Sequence, residues 1–95
     1  MPTLHVLSHS PFSDTRLGSC LRLLGSEDAL LLCGDAIYAL QLQSSVLKSL
    51  EEKTVFILEE DLVARHLACP QWATCVDYPA FVELSIRYDK VNSWL

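Results

Sequence analysis

Four cysteines, three histidines and a group of serines near the start are the residues of this 95-residue chain whose types could do chemistry. The cysteines come first, because a thiolate is at once a nucleophile and a metal ligand. Leu17, Cys20, Leu21 and Leu24 recur at helical spacing, and one reading makes Cys20 a small core side chain on that stripe. The other reading starts from its place at the margin of the stripe, with Arg16 one helical turn earlier. A neighbouring guanidinium favours the thiolate over a thiol of ordinary pKa, about 8.5. Cys20 is therefore the candidate reactive thiol, expected to be partly exposed, and the core-packing alternative stands beside it. Cys33 ends an apolar run and reads as a packed strand residue. Cys69 and Cys75 are separated by five residues that include Pro70 and Trp72. That spacing fits neither a zinc knuckle nor a Cys-x-x-Cys redox pair. Cys69, in a loop, is the main rival of Cys20 for first reaction.

The remaining groups point to bland roles. His5 falls in a predicted strand and His9 in its exit loop, and neither has a carboxylate or second histidine at ligand spacing. Ser8, Ser10 and Ser13 lack a Gly-x-Ser-x-Gly elbow, and there is no glycine-rich phosphate loop. No metal or cofactor site is expected.

The elements that position these residues are organised around Ala29–Leu30–Leu31–Leu32–Cys33, followed by Gly34–Asp35. Continuous apolar residues without polar alternation suit a strand covered on both faces, as parallel strands are. Gly34 permits a sharp exit, Asp35 is placed to cap a helix from Ala36, and the carboxyl edge of such a sheet is where sites gather. Upstream, Thr3–Leu7 reads as a first strand and Ser13 or Asp14 as the cap of a helix to about Leu24. Downstream, a helical region from Ala36 to Leu50 is interrupted near Gln41–Ser45. Thr54–Leu58 is a third strand, and a short helix follows over Leu62–Leu67. Ala73–Val76 is a fourth strand. Asp77 caps a helix with Pro79 in its first turn and Phe81, Leu84 and Tyr88 on its inner face. Val91–Leu95 forms an edge strand or a docked tail. This alternation predicts one domain over residues 1–95, a three-layer α/β/α sandwich with a mostly parallel sheet of four to five strands.

Composition narrows the function. Apolar residues make up 51% of a chain too short to bury much of them, so part of that surface is expected to face a partner. A net charge of −5 argues against gripping nucleic acid unaided. Neither a signal peptide nor a membrane span is visible, and a cytoplasmic location with free thiols is expected.

Several segments, in order, resemble the TusB/DsrH family of small sulfur-relay subunits. They are Leu4–His5 with Ser10–Pro11–Phe12, Ser19–Cys20–Leu21, Leu31–Leu32 through Gly34–Asp35–Ala36–Ile37–Tyr38–Ala39, Asp61–Leu62–Val63–Ala64–Arg65, Val76–Asp77–Tyr78 with Phe81–Val82, and the closing Ser93–Trp94–Leu95. The resemblance implies a DsrEFH-like fold and membership of a heterohexamer with TusC-like and TusD-like subunits. It implies TusA-like and TusE-like sulfur carriers acting through that complex, toward 2-thiolation of the tRNA wobble uridine. In this reading the chain is a non-catalytic accessory subunit of a sulfurtransferase complex. The alternative is a DsrH-like subunit of a sulfur-oxidising DsrEFH complex with Cys20, which matches a first-helix cysteine of that branch, as a persulfide carrier. In either case the charge balance makes direct tRNA binding by this chain unfavourable. The isolated chain is expected to retain no tRNA on a filter at physiological salt, and tight, salt-sensitive retention would contradict that expectation.

Overall fold

The apolar run becomes the middle strand of a five-stranded parallel sheet. In the computed structural model, which describes residues 2–12, 15–41 and 44–94, the strands are β1 (Thr3–Leu7), β2 (Ala29–Leu32), β3 (Thr54–Leu58), β4 (Thr74–Val76) and β5 (Lys90–Trp94). Their order is β4-β3-β2-β1-β5, every neighbour parallel. All four residues of β2 are fully buried, which is why the run carries no polar alternation.

The helices are α1 (Arg16–Leu23), α2 (Ser44–Glu51), α3 (Glu59–Ala64) and α4 (Tyr78–Arg87), with a 3-10 helix over Gly34–Gln41. Parallel crossovers are right-handed. The steps β1 to β2, β2 to β3 and β3 to β4 all move the same way across the sheet, so α1, α2 and α3 share one face. One core cluster reflects this, joining Leu17, Cys20, Ile37, Leu50 and Leu62 to Leu7, Leu30, Leu32, Val55 and Ile57. The chain then returns across the whole sheet to β5, and the same handedness puts α4 alone on the opposite face. There Leu84 packs on Leu4, Ala29, Leu31 and Val76, with Phe81 and Tyr88 half-buried beside it. The three layers are thus unequal.

Local signals behave as expected at several points. Asp77 caps α4 by accepting the Ala80 N–H at 2.9 Å, with Pro79 in the first turn. The helical region after β2 breaks into the 3-10 helix and α2. Other boundaries differ. The short helix expected over Leu62–Leu67 is α3, begun at Glu59, because Glu59, Glu60 and Asp61 fill the first turn, where the helix dipole favours anions. Asp35 lies inside the 3-10 helix, its carboxylate turned to Arg65. The cap expected from Ser13 or Asp14 lies outside the described residues; α1 begins at Arg16 behind Thr15, which makes no side-chain cap bond.

The C-terminal strand is held by a relay that runs from the turn before β2, through the middle of β1, to the carboxyl end of β5. Trp94 Nε1–H donates to His5 Nδ1 at 3.1 Å. Indole is only a donor, so His5 Nδ1 accepts and the ring proton sits on Nε2, 3.4 Å from Asp28 Oδ2. Asp28 also accepts the N–H groups of Gly25 and Thr3, both at 2.9 Å. The Gly25 N–H above all holds this carboxyl below its usual 3.8. Burial pulls the other way, and Thr3 and His5 add to the lowering. A depressed folded-state pKa contributes stability that is present above the unfolded value and lost as pH falls through the folded one. Asp28→Asn should therefore lower the denaturant midpoint at neutral pH. The gap to the native chain should close progressively below about pH 4, read by chemical denaturation at a series of pH values.

Candidate functional site

The two motifs Gly34–Asp35–Ala36–Ile37–Tyr38 and Asp61–Leu62–Val63–Ala64–Arg65 meet at the carboxyl edge of the sheet, where open α/β folds place their sites. β2 ends at Leu32, and Cys33 then donates its N–H to Leu7 O at 3.0 Å and its thiol to the same oxygen at 3.4 Å. Gly34 follows with φ of 51°, and a Cβ there would stand 3.2 Å from Ser8 O. Conformation and space both select glycine. Its N–H donates to Asp61 Oδ2 at 2.7 Å, a charge-assisted bond of about 1.5–3 kcal/mol by general experience.

Arg65 closes the cluster from the end of α3. Its Nη2 donates to Asp35 Oδ1 at 2.8 Å and its Nη1 to Asp61 O at 3.1 Å, with the guanidinium 5.8 Å from the Tyr38 ring centre. What aims Arg65 is the helix terminus. His66 takes a left-handed φ of 55°, Leu67 N–H donates to Leu62 O and His66 N–H to Val63 O. That is a Schellman end with histidine where glycine is usual. Asp35 is largely exposed, so its pair with Arg65 stabilises little, typically ~0–1 kcal/mol; its effect is to fix position. The arrangement orders the edge and ties Asp35, Asp61 and Arg65 to one another.

The thiols follow the same pattern. Cys20 is 0% exposed, enclosed in the larger core cluster. Burial pushes its thiol up to about 12, and the Asp28 carboxylate adds to the effect. The partial exposure and cationic activation expected at the helix margin are therefore corrected: the sheet and its helices close over both sides of the stripe. Cys33 is raised first by burial and then by Asp61, with Arg65 opposing. Cys75, on β4, is raised to about 12 by burial and by the neighbouring Cys69. Only Cys69 is exposed. Among the described residues no cluster of His, Cys, Asp and Glu could hold a metal ion, and no helix is long and apolar enough to cross a membrane.

Sequence reasoning missed the contacts of His5 with Asp28 and Trp94, which lie 23 and 89 positions away. Asp35 and Arg65 stood inside the motifs singled out, but their pairing spans 30 positions.

Residues 9–91 match the sequence profile of a family described as "DsrH like protein". The chain is 37% identical over 95 residues to "Protein TusB" of Yersinia pestis and, equally, to "Protein TusB" of Yersinia pseudotuberculosis, covering 96% of this chain and 99% of each relative. The crystal structure of the ychN protein from E. coli superposes with a TM-score of 0.77 at 18% identity, over 99% of this chain and all of that one. It therefore speaks for the fold alone.

The burial pattern orders the reactivity of the thiols. Limited alkylation of the native chain followed by peptide mass spectrometry should label Cys69 ahead of Cys20, Cys33 and Cys75. Labelling of Cys20 as fast as in the denatured chain would show that its enclosure does not persist in solution.

Proposed function

The chain belongs to the TusB/DsrH family, and from that premise we propose that it is an assembly subunit of a sulfur-relay complex. Its partners are TusC-like and TusD-like subunits in a heterohexamer. Persulfide sulfur passes from a TusA-like donor through that complex to a TusE-like carrier, toward 2-thiolation of the tRNA wobble uridine in the cytoplasm. This chain holds the partners in place and does not itself contact tRNA.

The observation that supports this reading is the incompletely covered face of the sheet. Five strands make a surface about 24 Å wide and about 15 Å deep. A ten-residue helix is about 15 Å long and about 10 Å across, so α4 covers less than half of it. Val6, Cys33 and Phe56 stay only half-buried there, and Val91 on β5, in register with Leu4, is exposed. The outer side of α4 carries Tyr78, Val82 and Ile86 at intervals of four, all exposed, Ile86 to 77%. Apolar surface of this kind is what an obligate interface, burying more than about 2,000 Å² in total, would use. The alternative, a sulfur-oxidation complex in which Cys20 carries persulfide, requires a thiol that reaches solvent. The enclosure of Cys20 weighs against it.

Coexpression with TusC-like and TusD-like relatives tests the proposal. The native chain is expected to copurify with them, while Val82→Glu and Ile86→Glu abolish copurification with an unchanged circular-dichroism melt. Labelled sulfur should appear on the partners and not on Cys20. A native chain that purifies alone as a monomer, or label on Cys20, would overturn the assembly reading.

A further inference from the structure

His5 is a buried titratable side chain, 6% exposed, in the middle of β1. Its ring nitrogens are used in opposite senses: Nε2 carries the proton and faces Asp28 Oδ2 at 3.4 Å, while Nδ1 accepts the Trp94 indole N–H at 3.1 Å. The second bond joins residues on one side of the sheet. His5 stands opposite Asn92, with Trp94 two positions further along β5 and the two ring centres 6.2 Å apart. Trp94 is half-buried against the larger core, whereas the four residues before it in β5 are exposed. The amino end of the strand is secured separately, by the Asp89 N–H on Pro2 O at 3.1 Å. The side-chain hydrogen bond at its carboxyl end is that of Trp94 to His5. From the turn before β2 the imidazole meets Asp28, with Glu27 exposed beside it. On the same side of the sheet α1 packs with Cys20, whose thiol burial keeps protonated, pushed up to about 12; the cations of that helix are Arg16 in the first turn and the exposed Arg22, bonded to Ser19. β2 presents Leu30 in register with His5, and β5 presents Asn92, with the exposed Lys90 two residues earlier.

We propose that His5 is a proton-operated latch on the C-terminal strand: the neutral imidazole holds Trp94, and the protonated one releases Trp94 with the carboxyl end of β5. Protonation places a hydrogen on Nδ1, and indole Nε1 is only a donor, so two donors then face each other with no acceptor between them. The indole is the partner that moves. His5 lies mid-strand between β2 and β5, and its Nε2–H strengthens its tie to the Asp28 carboxylate, which two backbone N–H groups hold in place. Trp94, by contrast, ends an edge strand. Docking is therefore complete while the imidazole is neutral, and it is lost as pH falls through the range in which histidine changes charge, about pH 8 to 5. Asp28 stays ionised over that interval, since its carboxyl is held below the usual 3.8. Release lifts Trp94 from the larger core and leaves Leu7, its partner in register, at an open edge of the sheet. The latch does not rest on the assembly reading, because its three residues belong to this chain.

Hydrogen–deuterium exchange of the native chain at pH 8 and pH 5, corrected at each pH for the intrinsic amide rate, reads the latch. At pH 5 the peptide containing Ser93 and Trp94 is expected to exchange about tenfold faster than at pH 8, the upper range for one lost hydrogen bond, while peptides from β2 and β3 keep their protection. In Trp72→Phe, where Trp94 is the remaining indole, acrylamide quenching rises over the same interval. His5→Asn separates the latch from general acid sensitivity: its amide oxygen takes the place of Nδ1 and does not titrate, so Trp94 stays docked at both pH values. Should asparagine disturb β1, Trp94→Phe keeps a ring on the core without the N–H, and its β5 then exchanges alike at pH 8 and pH 5. The proposal is overturned by β5 protection in the native chain that is the same at both pH values, by an equal pH response in His5→Asn or Trp94→Phe, or by a loss of protection at pH 5 that extends across the whole sheet.

Discussion

A parallel strand must be followed by a crossover, and for L-residues that crossover is right-handed. Three of the four crossovers here carry the chain in one direction across the sheet, and the fourth carries it back to the far edge. Handedness alone then assigns α1, α2 and α3 to one face and α4 to the other. The well-packed face encloses Cys20, while the thinly covered face leaves Phe56 and Val6 half-buried and the outer stripe of α4 exposed. Burial of the first and exposure of the second are consequences of one topological constraint.

The carboxyl edge shows how order is maintained where the strands end. Backbone N–H groups past a strand need acceptors. Cys33 finds one in Leu7 O and Gly34 in the Asp61 carboxylate, so the exits of β1, β2 and β3 are tied together within a few ångströms. The Schellman end of α3 then sends Arg65 back over Tyr38 to Asp35. Each contact is modest in energy. Together they give the edge a fixed shape, with Arg65 paired to Asp35 and Asp61.

In the turn before β2, Asp28 gathers two backbone N–H groups and His5, and His5, in the middle of β1, receives Trp94 from the carboxyl end of β5. This fastens β5, whose residues are otherwise largely exposed, to the first strand. The terminal segment is thereby held as an edge strand.

The sequence by itself determined what depends on short range and on period. Apolar runs marked β1, β2 and β3, the i, i+3, i+4 stripe marked α1, and Asp77 with Pro79 marked the start of α4. Gly34 announced the sharp exit from β2. The alternation of these elements sufficed for a three-layer parallel fold, and the ordered motifs for the family. Tertiary structure decided which face each stripe met. Cys20 lies on a stripe whose margin could have faced water, and only the packing of α1 against the sheet closed it off. Asp35 with Arg65 and His5 with Trp94 became neighbours because crossovers folded distant positions together. Periodicity reports the side of a helix or strand that is apolar, whereas the identity of the group opposite is set by chain return, which no local pattern encodes.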